Sequence, residues 1–120
     1  MRIAVTTQKE NLEAEVESRF GRAPKFLIID SDTMAFAAVE NTQSMDLSQG
    51  AGIQAARNII PHKPDVLLTG NCGPKAFRVL QAAGIKVVVG AKGKITDAVR
   101  AYLNGEYTPA TDANVEGHWV

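Results

Sequence analysis

"PDVLLTGNCGPKAFRVLQAAGIKVVVG", Pro64 to Gly90, holds two apolar runs separated by a helical stripe, and its reading decides the fold. "PDVLLTG" is a short apolar segment closed by glycine, as a buried strand would be. Ala76, Val79, Leu80 and Ala83 then share one helical face ended by Gly84, and "IKVVVG" is apolar again. Two strands joined through a helix in this way are parallel neighbours, because the crossover carries the chain back to the edge it left.

Outward from this unit the pattern is consistent. Ile53, Ala56 and Ile60 form a helical stripe before it. Ile95, Ala98, Val99, Tyr102 and Leu103 form another after it, stopped by Asn104-Gly105. Before about residue 45 the chain is β-rich: "IAV" at 3–5 reads as a buried strand, while "KFLIID" (25–30) and "MAFAAVE" (34–40) flank Ser31-Asp32-Thr33 as hairpin arms. The expected fold class is α/β, a single domain with a five-stranded mixed sheet of order 3-2-1-4-5 flanked by three helices. The domain is expected over 1–105, and 106–120 is expected as a loosely packed C-terminal tail without sustained periodicity.

With 120 residues the chain can bury roughly two thirds of its unfolded surface without disulfides or a structural metal. Lys plus Arg and Asp plus Glu both number 13, so bulk charge points neither to nucleic acid nor to a membrane surface. "MRIAVTTQKE" is neither a signal peptide nor a membrane span, and a cytoplasmic location is expected. The lone Cys72 can form no intramolecular disulfide, and His62 and His118 lack zinc-site spacing.

The sheet order brings Thr6-Thr7, Arg19 to Arg22, Gly50 to Gly52, Gly70 to Pro74 and Gly90 to Lys94 to the edge where strands 1, 4 and 5 finish, the usual ligand side of an open α/β sheet. In "GNCGPK", Gly70 and Gly73 permit close backbone approach and Pro74 suits a first helical position, so Asn71, Cys72 and their neighbours make either an anion cradle or simply a tight connection. Cys72 sits in a loop rather than an apolar stripe. It is expected to be solvent-accessible, its pKa lowered below about 8.5 by the helix start. His62 belongs at the opposite edge, too far to activate it. Ligand, nucleophile and small core residue all stay open for this thiol. "SQGAGIQAA" (48–56) lacks the preceding strand, third glycine and Gly-Lys-Ser/Thr of a nucleotide loop, leaving Gly50, Ala51 and Gly52 as a glycine-lined helix start. "SRFGRAP" adds Arg19 and Arg22, with Phe20 plugging the sheet edge, and "GAKGK" adds Lys92 and Lys94. Each stretch alone also suits a solvated surface loop. Together they give two helix starts, four basic side chains and no carboxylate in the glycine loops, which favours an anion over a bare cation.

"RFGRAPKFLIID", "QGAGIQAA", the Pro64–Gly90 stretch and "AVRAYLNGE" resemble the dinitrogenase iron-molybdenum cofactor biosynthesis family, from strand 1 to about Gly105. The resemblance implies a ribonuclease H-like topology. It also implies non-catalytic binding, storage or delivery of an anionic molybdenum-containing metal-sulfide cluster (Mo-Cu-S or Fe-Mo-S type), as in nitrogenase cofactor carriers or orange protein-like members. Joined to the edge described above, it makes Arg19, Arg22, Gly50, Ala51, Gly52, Gly70, Asn71, Cys72, Gly73, Pro74 and Lys92 the expected cofactor-binding residues, with Cys72 at the metal. A cluster donor or acceptor protein is the implied partner, and neither nucleic acid nor membrane is. Gln49 stands where cofactor-carrying relatives often have histidine, which counts against carriage for nitrogenase specifically, and the short single-domain length favours an orange protein-like or uncharacterised branch. Two-metal nuclease chemistry is not expected, since "RIAVT" and "DVLLT" carry no carboxylate at their centres or finishing ends. The alternatives are a small enzyme using Cys72 as nucleophile on an anionic substrate, and a protein-interaction module.

Overall fold

The computed structural model describes residues 1–43 and 50–114; Ser48, Gln49 and His118, singled out in the sequence, lie outside the described residues. From Ile3 to Thr7 every residue of strand β1 (Arg2–Thr7) is buried, as a strand at the middle of a sheet covered on both faces must be. β2 (Lys25–Asp30) pairs antiparallel to it, with Ile3 opposite Ile29 and Val5 opposite Leu27. β3 (Phe36–Glu40) pairs antiparallel to β2. On the other side β4 (Val66–Leu68) runs parallel to β1 and β5 (Lys86–Val88) parallel to β4. The order is β3-β2-β1-β4-β5; helices α1 (Ala51–Ile59) and α2 (Pro74–Ala82) supply the crossovers and α3 (Ile95–Leu103), after β5, covers the other face, so the expected fold class and ribonuclease H-like topology are found. No helix among the described residues is long and apolar enough to cross a membrane.

Alternation along the strands builds two cores. Ala4, Phe26, Leu67 and Val87 face α1 and α2, meeting Ala55, Ala56, Ile59, Ala76, Phe77 and Leu80. Ile3, Val5, Leu27, Ile29, Val66, Leu68 and Val88 face α3, meeting Ile95, Ala98 and Val99. The helical faces differ from the expected stripes. On α1, Ala55, Ala56 and Ile59 are buried while Ile53 and Ile60 are only half-buried, because the small residues let α1 pack closely on α2 and on a 3-10 turn at Phe20–Arg22. On α2, Phe77, outside the expected stripe, is buried alongside Ala76 and Leu80. Ala83 is exposed because it caps the helix, and Gly84 at φ 80° turns the chain away.

Two extents also change. The strand expected from Met34 begins at Phe36, because Met34 stands at φ 62° in a turn closed by hydrogen bonds from Met34 N to Asp30 O and from Asp30 N to Ala35 O. The tail is docked through residue 114 rather than loosely packed. Ala110 N donates to Val87 O at 2.7 Å, and Ala110 and Ala113 pack on the α1–α2 side. β5 is an edge strand with free backbone groups, and the tail takes up part of that edge.

Phe77→Ala should cost about 3–5 kcal/mol of unfolding free energy and Ala83→Lys no more than about 0.5, measured by urea denaturation. A reversed ranking would restore the stripe expected from the sequence.

Candidate functional site

The finishing ends of the parallel strands are held together by polar contacts rather than by apolar packing alone. Thr6 and Thr69, both buried, pair through their hydroxyls at 3.0 Å, and Thr6 Oγ1 also donates to the Glu17 carbonyl at 2.8 Å. The long connection from β1 to β2 is laid across the ends of β4 and β5: Val16 N donates to Gly93 O at 2.9 Å, Phe20 N to Asn71 O at 3.1 Å, and Asn71 Nδ2 to Ser18 O at 3.0 Å. Gly70 is required there, since a Cβ would stand 2.6 Å from the Ser18 carbonyl oxygen and 2.7 Å from its Cα. Gly90 N donates to Gly70 O and Ala91 N to Thr69 O, tying the loops after β4 and β5 to each other.

α1 completes the edge. Its far end runs into a turn at Ile60–His62, where Arg2 Nη1 donates to the His62 carbonyl at the starting end of β1, so its first residues point to the finishing edge. There α1 packs on the Phe20–Arg22 turn. The fold therefore gathers Arg19, Arg22, Gly50, Ala51, Gly52, Gly70, Asn71, Cys72, Gly73, Pro74 and Lys92 on one edge, with His62 opposite.

Cys72 reverses one expectation. Its side chain is fully buried, part of the core cluster that also holds Phe20, Ala55 and Ala76, rather than open to solvent, and Sγ donates only a long 3.7 Å contact to the Gly73 carbonyl. Burial pushes the thiol up from its ordinary value near 9.0 to about 12. A helix start favours a nearby anion by roughly 0.3–1 kcal/mol, whereas an unpaired charge taken out of water costs several, so desolvation wins. In this conformation the thiol is protonated and is not presented to a ligand. The Cys72 amide is engaged as well, donating to Asn114 Oδ1 at 2.8 Å.

The charges are less uniform than the glycine loops suggest. Lys94 Nζ lies 3.2 Å from Glu13 Oε2, because the β1–β2 connection carries acidic residues to this edge. Lys25 is held between Glu40 and Glu10, and the hydrogen bond to Glu40 is the main cause of its raised pKa. Arg19, Arg22 and Lys92 are exposed and have no ion pair among the described residues. No group of three or more His, Cys, Asp or Glu among the described residues could hold a metal ion. Asn114 is the site residue that the sequence did not disclose, standing in an aperiodic segment with no motif around it.

The sequence model of the family described as "Dinitrogenase iron-molybdenum cofactor" matches residues 1–105. The apo form of the orange protein from Desulfovibrio gigas has a similar structure, with a TM-score of 0.89 and 46% identity over 95% of this chain and 96% of that one. A Thermotoga protein of the DUF35 family matches with a TM-score of 0.75 and 26% identity over 97% of this chain and 98% of that one. An uncharacterised protein of Methanocaldococcus jannaschii is 27% identical over 109 residues, 88% of each chain.

Because the folded state keeps a thiol proton that the unfolded chain releases above about pH 9, the Cys72 contribution to stability is whole below that pH and is lost as pH rises toward 12. The difference in unfolding free energy between wild type and Cys72→Ala should be constant from pH 6 to pH 8 and shift against wild type by pH 10.5 (roughly 1.4 kcal/mol per pH unit at most). A difference independent of pH would place the thiol in water.

Proposed function

The chain belongs to the dinitrogenase iron-molybdenum cofactor family, and from that membership we propose that it binds an anionic molybdenum-containing metal-sulfide cluster, of the Mo-Cu-S or Fe-Mo-S type, and stores or delivers it without catalysing a reaction. The family and the likeness to the orange protein give it a cofactor-related role. The observation that carries the finer statement is the set of three exposed cationic side chains, Arg19, Arg22 and Lys92, left without ion pairs among the described residues beside glycine-opened helix starts.

The chemistry of the donor set selects the kind of ligand. A bare cation needs several hard or soft donors converging on a point, and the described residues assemble none. A cluster that brings its own sulfides needs instead a positive field and hydrogen-bond donors, which two guanidiniums, an ammonium and the α1 start at Gly50, Ala51 and Gly52 would supply. Pro74 has no N–H to give, and its place is to open α2 beside Gly73. Asn71 is occupied with Ser18 and Asn114, so it shapes the loop between Gly70 and Cys72. A cluster donor or acceptor protein is the partner that storage and delivery require. The alternative of a Cys72 nucleophile gains no support, since a thiol pushed to about 12 has almost no thiolate at neutral pH.

The test is titration with tetrathiomolybdate plus copper at low and high salt, read by the visible absorption that stays with the protein after desalting. The combined Arg19→Gln, Arg22→Gln and Lys92→Gln variant should bind about tenfold or more weakly at low salt, and the wild-type affinity should fall as salt shortens the Debye length below about 8 Å. Lys94→Gln should stay within about twofold, because Glu13 already answers that charge. Unfolding should shift by no more than about 0.5 kcal/mol in either variant. Equal retention by wild type and the combined variant would reject this edge as the cluster site.

A further inference from the structure

We infer that residues 106–114 form a latch over the β4–α2 loop, with Asn114 as its catch, and that release of this catch is what exposes Cys72 to a ligand. The latch lies outside residues 1–105, the part of the chain that the family's sequence model matches. The cluster reading enters only in naming the ligand; the latch itself stands on contacts within the chain.

One side chain does most of the closing. Asn114 Oδ1 accepts from Cys72 N at 2.8 Å, Asn114 N donates to Cys72 O at 3.3 Å, and Asn114 Nδ2 donates to Asn71 Oδ1 at 3.0 Å and to Gly70 O at 3.4 Å. Asn114 thus engages both backbone groups of Cys72 and reaches across the loop to Gly70. Behind the catch, Ala110 and Ala113 pack against the cluster of buried residues that contains Cys72, and Ala110 N is anchored on Val87 O of the β5 edge.

The loop therefore has one fixed wall and one removable wall. The fixed wall is the segment at Ser18 to Phe20, which holds Asn71 by its backbone and side chain and presses on Gly70 so closely that only glycine fits. The removable wall is the strap, which from Glu106 to Asn114 has no helix or strand and whose residues are all exposed or half-buried. Segments with few buried contacts open at far lower free energy than the whole fold. The consequence is competitive. A backbone N–H has one hydrogen to donate, so Asn114 Oδ1 and an anionic ligand cannot both accept from Cys72 N. The carboxamide oxygen stands where the acceptor atom of a ligand at this helix start would stand.

The experiment uses the full chain as wild type, Asn114→Ala and Val99→Ala, the last weakening the α3 face without touching the strap. The rate at which Cys72 reacts with dithiobis(nitrobenzoate) at pH 8 should rise about tenfold or more in Asn114→Ala and stay within about twofold of wild type in Val99→Ala, since one lost catch lowers local opening but not global unfolding. Asn114→Ala should also bind tetrathiomolybdate more tightly than wild type. The latch is overturned if Asn114→Ala reacts at the wild-type rate, if Val99→Ala accelerates as much, or if Asn114→Ala binds tetrathiomolybdate more weakly. Should neither chain bind tetrathiomolybdate, the cluster reading falls, while the thiol rates still decide the latch.

Discussion

Parallel pairing of β4 with β1 on one side and with β5 on the other is the constraint on which the molecule depends. Parallel neighbours cannot be joined by tight turns, so each pairing demands a helix, and each helix buries one face of the sheet. The same geometry sends the chain out of β4 and β5 at one edge, where the connection from β1 also emerges. The loops could diverge into solvent from that point, but Gly70 against Ser18 and the buried Thr6–Thr69 hydroxyl pair hold them together.

What that edge offers follows from competition between burial and charge. The thiol of Cys72 loses its exposure to the core cluster between the sheet and helices α1 and α2, and with exposure it loses its thiolate. Lys94 and Lys25 are answered by carboxylates, whereas the exposed Arg19, Arg22 and Lys92 have no ion pair among the described residues. The ligand proposed for such an edge brings its own negative charge and its own inner coordination, as a metal-sulfide cluster would. Residues 106–114 then close the loop from its open side.

Much of this was legible before any coordinates. Period and connection length are local properties, and they carry the order of the sheet, the full extent of "KFLIID" and the convergence of five stretches of chain on one edge. Helix faces were read less well on α1, because a stripe drawn through isoleucines misses a surface chosen for small residues that admit a close neighbour. The burial of Cys72 escapes local pattern for a different reason. Its loop is held by Ser18, against Gly70 and Asn71, and by Asn114, each more than forty residues away in sequence. The Lys94–Glu13 pair is equally long-range, joining a glycine turn to a loop more than eighty residues earlier. The tail read as loose because its contacts are backbone hydrogen bonds and two alanines, neither of which leaves a period.

The central claim, that the finishing edge of the parallel strands is where an anionic cluster is held, is tested most directly by amide NMR of the labelled full chain during addition of tetrathiomolybdate and copper. A ligand at this edge moves the amides of 18–22, 50–52, 70–73 and 90–94 and leaves those of 30–37 and 61–65, at the starting edge, where they were. Shifts concentrated on 30–37 and 61–65, or no shifts under conditions where the colour stays with the protein, would contradict it.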